Sequence, residues 1–349
     1  MLPAMSPKSP KSPPPGEAAA ERRSGPFHGI QGLMLTITLF ASLAILTLPF
    51  LRPDGGRRTP LRIVVAEPEL SGSGVDLRRQ QLLLEAVRDS LERQLYGRRG
   101  VLPARLFAPA ARALEIAREA EADEVLWTRI KVTPFGAPYA ALLSMGRRRS
   151  IDGNLVWQRD EAQIAVDDLR RVDRQIGDQL LLAYVRYERP AEAAQLFAEA
   201  ADYETFLRLR LELQSAAGGG AAEGLLPQFA RLRASSPRFF EAYLWPGRAL
   251  AAAPGGGRED EALMLLEQAS RIAPADPRPA EAAFQLLLAL GRHAAAEQQL
   301  AVLERLRAGD PLLANWRSLL ESRRRQAEPR RALPAEDRAG GNVPPADPR

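Results

Sequence analysis

Tyr139-Ala-Ala-Leu-Leu-Ser-Met-Gly-Arg-Arg-Arg-Ser-Ile151 and Leu155-Val-Trp-Gln-Arg-Asp-Glu-Ala-Gln-Ile-Ala-Val166 flank Asp152-Gly153-Asn154. An Asp-Gly step between two strand-like runs is the strongest short-range hairpin signal, because the tight turn needs backbone angles that glycine adopts without strain. The two runs therefore predict an antiparallel pair. Upstream, Glu124–Val132 predicts another strand, with Leu126, Thr128, Ile130 and Val132 on one side, and residues 134–138 make a turn-rich connection. Leu61–Ala66 is a β-branched run that follows a Gly/Pro/Arg linker and predicts a first strand. Asp76 caps a helix carrying Leu77, Leu84, Val87, Leu91 and Leu95 on one face, and Gly97 and Gly100 stop it. A second helix is expected over 109–122, and after the hairpin Asp167 and Asp168 begin a third, with Leu169, Val172, Ile176, Leu180 and Ala183 in helical register. The order βααβββα over residues 61–187 implies a small α/β sandwich, helices covering a mixed sheet.

Residues 188–325 change character and become Ala-, Leu-, Glu- and Arg-rich helices separated by Gly or Pro. Ser236-Pro237, Asp276-Pro277 and Asp310-Pro311 close successive units, the last two prolines about 34 residues apart. The preceding interval is longer and contains the loop Pro254-Gly-Gly-Gly257. The unit from Phe240 to Pro274 resembles a tetratricopeptide repeat: Tyr243, Gly247 and Leu250 match its first helix, and Ala262, Leu266, Ala269 and Pro274 its second. Gly247 and Ala262 would let paired helices approach while larger residues fill the gap. Pro246 departs from the pattern, since proline inside a helix removes a hydrogen bond. The expected result is an all-α tetratricopeptide-like solenoid.

Before both regions lies Ile30-Gln-Gly-Leu-Met-Leu-Thr-Ile-Thr-Leu-Phe-Ala-Ser-Leu-Ala-Ile-Leu-Thr-Leu-Pro-Phe50, inside an uncharged stretch between Arg23 and Arg52. About 20 helical residues cover a hydrocarbon core of roughly 30 Å, so residues 26–51 are expected to form one transmembrane helix, joined by a linker over 52–60. Ser42-Leu43-Ala44 offers a signal-peptidase site as the rival reading, yet the apolar run continues to Phe50, which suits an uncleaved signal anchor. Lys8, Lys11, Arg22 and Arg23 on one flank face Arg52, Arg57, Arg58 and Arg62 on the other, so charge leaves the orientation open. Residues 1–25 and 326–349 are Pro-rich and polar, and are expected to be disordered tails. The fold class expected from the whole chain is therefore α+β and membrane-anchored.

The chain has no cysteine, which excludes disulfides, thiolate metal sites and cysteine nucleophiles. Its 48 basic and 43 acidic residues are interspersed and leave a formal charge of +5, no footprint for a nucleic acid. The two histidines, His28 and His293, lie in different regions and cannot form a relay or a metal pair. Phosphate-binding and nucleophile-elbow motifs are missing, and the glycines at 218–220 and 255–257 sit between helices without a preceding strand. Asp167-Asp168 and Glu259-Asp260-Glu261 fall at helix starts, where carboxylates favour the helix dipole. Arg147-Arg148-Arg149 reads as a solvated strand end and Arg323-Arg324-Arg325 as a helix C-terminus. No catalytic, metal or cofactor residue emerges, and the chain reads as a non-enzyme.

Ile63-Val64-Val65, the helix end Ala120-Glu-Ala-Asp123 leading into Val125-Leu126-Trp127, and Gly153-Asn-Leu-Val-Trp157 together resemble the TolB amino-terminal-like domain of bacterial envelope proteins. A membrane helix, this domain and tetratricopeptide-like repeats form an order similar to the sensory halves of CadC-like regulators and of some membrane Ser/Thr kinases. That resemblance implies a cytoplasmic-membrane protein with its soluble part in the periplasm. The expected function is a membrane-anchored protein–protein interaction scaffold of the envelope, recruiting a protein or peptide, with Tyr243, Trp245, Arg248, Phe284 and Gln285 as candidate groove residues. The alternative is a ligand-sensing component of a transmembrane signalling system whose output domain is a separate protein.

Overall fold

Strand β1, Leu61–Ala66, lies inside the sheet because its Ile63, Val64 and Val65 are buried on both faces. The computed structural model describes residues 59–72, 75–133, 140–187, 196–215, 219–252 and 257–331, all within one compact unit. Beside β1 run β3 (Val101–Ala108) and β4 (Glu124–Val132), both parallel to it, and β4 continues into the antiparallel pair β5 (Ala140–Arg149) and β6 (Leu155–Ala165). The order is β3-β1-β4-β5-β6, with β2 (Glu69–Gly72) also parallel to β4 where β1 has ended. The hairpin turn at Asp152-Gly153 forms as expected, with Gly153 at φ 71°.

Two strands were not expected from sequence. β3 contains Pro103 and Arg105, which read against a strand, yet it is the outer strand of the sheet, where a proline needs to donate nothing outward. β2 is four mostly exposed residues with no apolar pattern. The expected helix over 109–122 is a 3-10 turn, Ala110–Arg112, followed by the short α2, Ala113–Glu119.

The crossovers place the helices. Helix α1, Leu77–Tyr96, joins β2, beside β4, past β1 to β3, whereas α2 carries the chain from β3 back past β1 to β4. Right-handed crossovers running in opposite directions put their helices on opposite faces. Accordingly α1 and α3 (Leu169–Ala183) pack on Ile63, Val65, Leu126, Ile130 and Met145, while α2 packs on Val64, Ala66 and Val125. Asp76 and Asp168 cap α1 and α3, accepting from Arg79 N at 2.8 Å and Arg170 N at 3.0 Å.

Helix pairs follow: α4 (Ala200–Ser215) with α5 (Gly219–Ser235), α6 (Glu241–Ala251) with α7 (Glu259–Ile272), and α8 (Arg278–Ala289) with α9 (His293–Leu306). The last helix is α10, Pro311–Arg331. Gly247 of α6 serves as a close-approach point, since a Cβ there would lie 3.1 Å from Leu266. Asp276 and Asp310, before the unit-closing prolines, are side-chain caps, accepting from Arg278 N at 2.9 Å and Leu312 N at 3.0 Å.

The membrane-anchored fold class is corrected: among the described residues no helix is long and apolar enough to cross a membrane. The longest, α1 and α10 at 20 and 21 residues, carry repeated Arg, Glu or Asp side chains that a hydrocarbon core would exclude. What the structure supports is a mixed α/β sheet followed by helices. The stretch 26–51, the tail 1–25 and the tail beyond Arg331 lie outside the described residues.

The sheet's main core runs without a break into the first helix pairs through Tyr203, Phe206, Phe229 and Phe239. Phe239 meets Phe206 edge-on at 5.1 Å between ring centres. Phe239→Ala is expected to cost about 3–5 kcal/mol in urea unfolding and to lower one shared transition. A sheet transition that stays at the wild-type midpoint while the helices melt earlier would refute the shared core.

Candidate functional site

Helix α1 is buried on two sides. Leu83, Ala86, Val87 and Leu91 face the sheet, while Glu85, Asp89 and Glu92 form a second stripe at helical spacing. That stripe meets the first helix of each pair. Arg210 of α4 lies 2.7 Å from Asp89 and 3.0 Å from Glu92, and its Nε approaches Glu85 at 2.6 Å off the hydrogen-bonding direction, a Coulombic contact. Arg278 of α8 reaches Glu92 at 3.3 Å and pairs with Asp276 at 2.7 Å. In the other direction, Arg93 of α1 bridges Asp89, Asp173 of α3 and Glu241 of α6 at 3.1, 2.8 and 3.2 Å. Tyr203 Oη donates to Asp89 at 3.0 Å, and Gln214 Nε2 to Glu85 at 3.1 Å. Arg93, Arg210 and Arg278 are each no more than 3% exposed.

The face built by α4, α6 and α8 is thus occupied by the chain's own α1. Of the expected groove residues, Trp245 and Arg248 do come together, but at this seam: the guanidinium groups of Arg210 and Arg248 lie over the Trp245 ring at 4.3 and 5.2 Å, and Arg248 pairs with Glu92 at 3.3 Å. Tyr243, half-buried, donates to Pro237 O at 3.2 Å under the Arg233 guanidinium. Phe284 is core, stacked on Trp316 at 5.4 Å, and Gln285 is exposed beside it in sequence. Among the described residues these five are divided between the seam, the core and the surface. Arg147, read as a solvated strand end, forms a two-pronged pair with Glu124 at 2.6 and 2.8 Å and covers Tyr184. Arg323 to Arg325 are exposed within α10, which continues to Arg331.

Carboxylates outnumber arginines at the seam, and the titrations diverge accordingly. Six acids, Glu85, Asp89, Glu92, Asp173, Glu241 and Asp276, surround Arg93, Arg210, Arg248 and Arg278, with Arg88 touching Glu85 from the rim. Burial pushes Glu92 up, but Arg210, Arg278 and Arg248 together outweigh it and hold its pKa at about 2. Glu241 goes the other way: burial, with Asp89 and Asp276 close by, exceeds the pull of Arg93 and Arg278 and raises it to about 7. The sequence signal for this site was an acid stripe opposite an apolar stripe on one helix, a pattern that elsewhere faces water.

No family model matches the chain, and no curated protein matches it. Among solved structures, 30% of this chain is similar to 81% of the lipoprotein GNA1162 from Neisseria meningitidis, at 18% identity and a TM-score of 0.22. Similarity also covers 35% of this chain and 86% of PelC from Paraburkholderia phytofirmans, crystallised as a dodecamer, at 15% identity and a TM-score of 0.25. For a homolog of the neuraminyllactose-binding hemagglutinin from Helicobacter pylori the shares are 36% and 84%, at 11% identity and a TM-score of 0.26. Likenesses at this level bear neither on function nor on the TolB-like and tetratricopeptide-like resemblances.

A carboxyl raised on folding stabilises below its unfolded pKa of about 4.5, and that contribution is lost as pH rises through about 7. Glu92, lowered on folding, contributes above about 4.5 and loses its contribution as pH falls toward 2. Thermal unfolding followed from about pH 5 to about pH 8 should therefore show a decline that Glu241→Gln flattens. Equal slopes in both proteins would remove Glu241 as its source. Arg210→Met, which leaves three buried acids short of a partner, should cost about 3–5 kcal/mol.

Proposed function

We propose that this chain is a protein–protein interaction scaffold whose docking surface is the free edge of β6. The observation that carries the reading is that edge. β6 is 11 residues long and has β5 on one side and no strand on the other among the described residues. At its turn end Ile151, Leu155 and Val156 are 78%, 53% and 42% exposed. An open edge offers unpaired main-chain donors and acceptors to a partner strand, and exposed apolar side chains beside it supply affinity. Arg159 and Asp160, exposed where the β5–β6 register shifts, discourage indiscriminate pairing and favour a partner of complementary charge.

The helix pairs serve this reading as a rigid base. Their first-helix face is filled by α1, so sheet and helices present β6 in one fixed orientation, which lowers the ordering cost of binding. The TolB-like resemblance directs the search for the partner to envelope proteins.

A photoreactive residue at position 156 should crosslink a partner that binds purified wild-type chain. Leu155→Lys with Val156→Lys should weaken that binding at least about tenfold while leaving the unfolding midpoint in place. Crosslinks confined to the helix pairs, or undiminished binding by the double variant, would move the docking surface away from β6.

A further inference from the structure

We infer that the crevice at the carboxyl ends of β1 and β3 is a small-molecule site that takes an aromatic carboxylate. Adjacent parallel strands whose following helices lie on opposite faces leave a crevice at their carboxyl ends, the general ligand position in α/β sheets. β1, whose chain passes through the short β2 into α1, and β3, which leads into α2, meet that condition, since α1 and α2 pack on opposite faces. A cavity of about 110 Å³ opens there, with room for about one six-membered ring.

One backbone irregularity shapes it, and a second lies close by. Between Val65, paired with Leu126, and Glu69, paired with Arg129, the chain passes Pro68 and leaves the ladder open beside Trp127. On the other side, β3 carries a bulge in which Phe107 holds φ at 55°, a strained value for an aromatic residue, before Ala108 O accepts from Glu67 N at 2.7 Å.

The lining specifies the ligand. Ala66, Ala113 and Leu114 form an apolar wall beside the Trp127 indole. That indole has a built seat: a Cβ on Gly146 would fall 2.4 Å from the ring, so only glycine lets it lie flat on β5. The buried Trp127 Nε1 has no hydrogen-bond partner. At the rim Glu67 is paired with Arg88, and Glu69 with Arg129 at 2.7 Å, so their charges cancel, and the Arg129 guanidinium lies over the Trp127 ring at 5.2 Å. Arg148, exposed at the mouth, has no ion pair among the described residues. One uncompensated guanidinium beside a ring-sized apolar slot fits a flat apolar group bearing a single carboxylate. The site is on the sheet face away from the helix pairs, and it stands or falls separately from docking at β6.

Saturation-transfer NMR and calorimetry on the full chain would use benzoate as probe, with acetate lacking the ring and benzylamine reversing the charge. Benzoate should bind saturably, and both comparison compounds at least about tenfold more weakly. Arg148→Glu should weaken benzoate about tenfold, and Ala113→Leu, which fills the slot, should abolish binding, with unfolding midpoints confirming that both variants fold. Absence of saturable benzoate binding, a preference for benzylamine, or binding that both variants retain would overturn the assignment.

Discussion

Arg210 sets three nitrogens against three acids of one helix, and the arrangement of sheet and helix pairs depends on it. With Glu85, Asp89 and Glu92 on α1, each nitrogen of the guanidinium faces its own carboxylate, which sets the register of α4 against α1. Burial of these charges is costly, and the offset comes from geometry and from the hydrogen bonds of Tyr203 and Gln214 that occupy remaining lone pairs. Such a cluster contributes specificity of placement more than net stability. The apolar continuity through Phe206 and Phe239 supplies the stability.

The seam also changes how the helix pairs should be regarded. Stacked helix pairs often form a concave binding surface. Here Glu241, Arg248 and Arg278 on that face are engaged with α1 or its neighbours. The two surfaces we propose for function are both on the sheet: the β6 edge on one side, and the crevice beside Trp127 where the parallel ladder is interrupted. Both arise where regular pairing stops, since only there are backbone groups and side chains released from the ladder.

Local signals were legible in the sequence wherever the physics is local. Asp152-Gly153 specified its hairpin, Asp76 and Asp168 their helix caps, and Leu126, Ile130 and Val132 the inner face of β4. Two strands escaped notice because tertiary position overrode propensity: Pro103 is tolerated at an outer strand, and Glu69–Gly72 is a strand only because β4 extends past the end of β1. The placement of the expected groove residues was hidden for a related reason. Aromatic and Arg side chains at helical spacing read as a binding face, and Trp245 and Arg248 are instead spent on the internal seam.

By itself the sequence determined the hairpin, the capped helices and the paired helices, because turn angles, caps and apolar periodicity act within a few residues of one another. It also excluded every chemistry that needs a thiol. Only the tertiary structure decided that an acid stripe on α1 turns inward, that Glu241 and Glu92 titrate in opposite directions, and that Trp127 borders a crevice. Each depends on residues far apart in the chain: Arg210 and Asp89 are 121 positions apart. The charge state and exposure of a side chain follow from its neighbours in space, and those neighbours are unknown until the helices have packed.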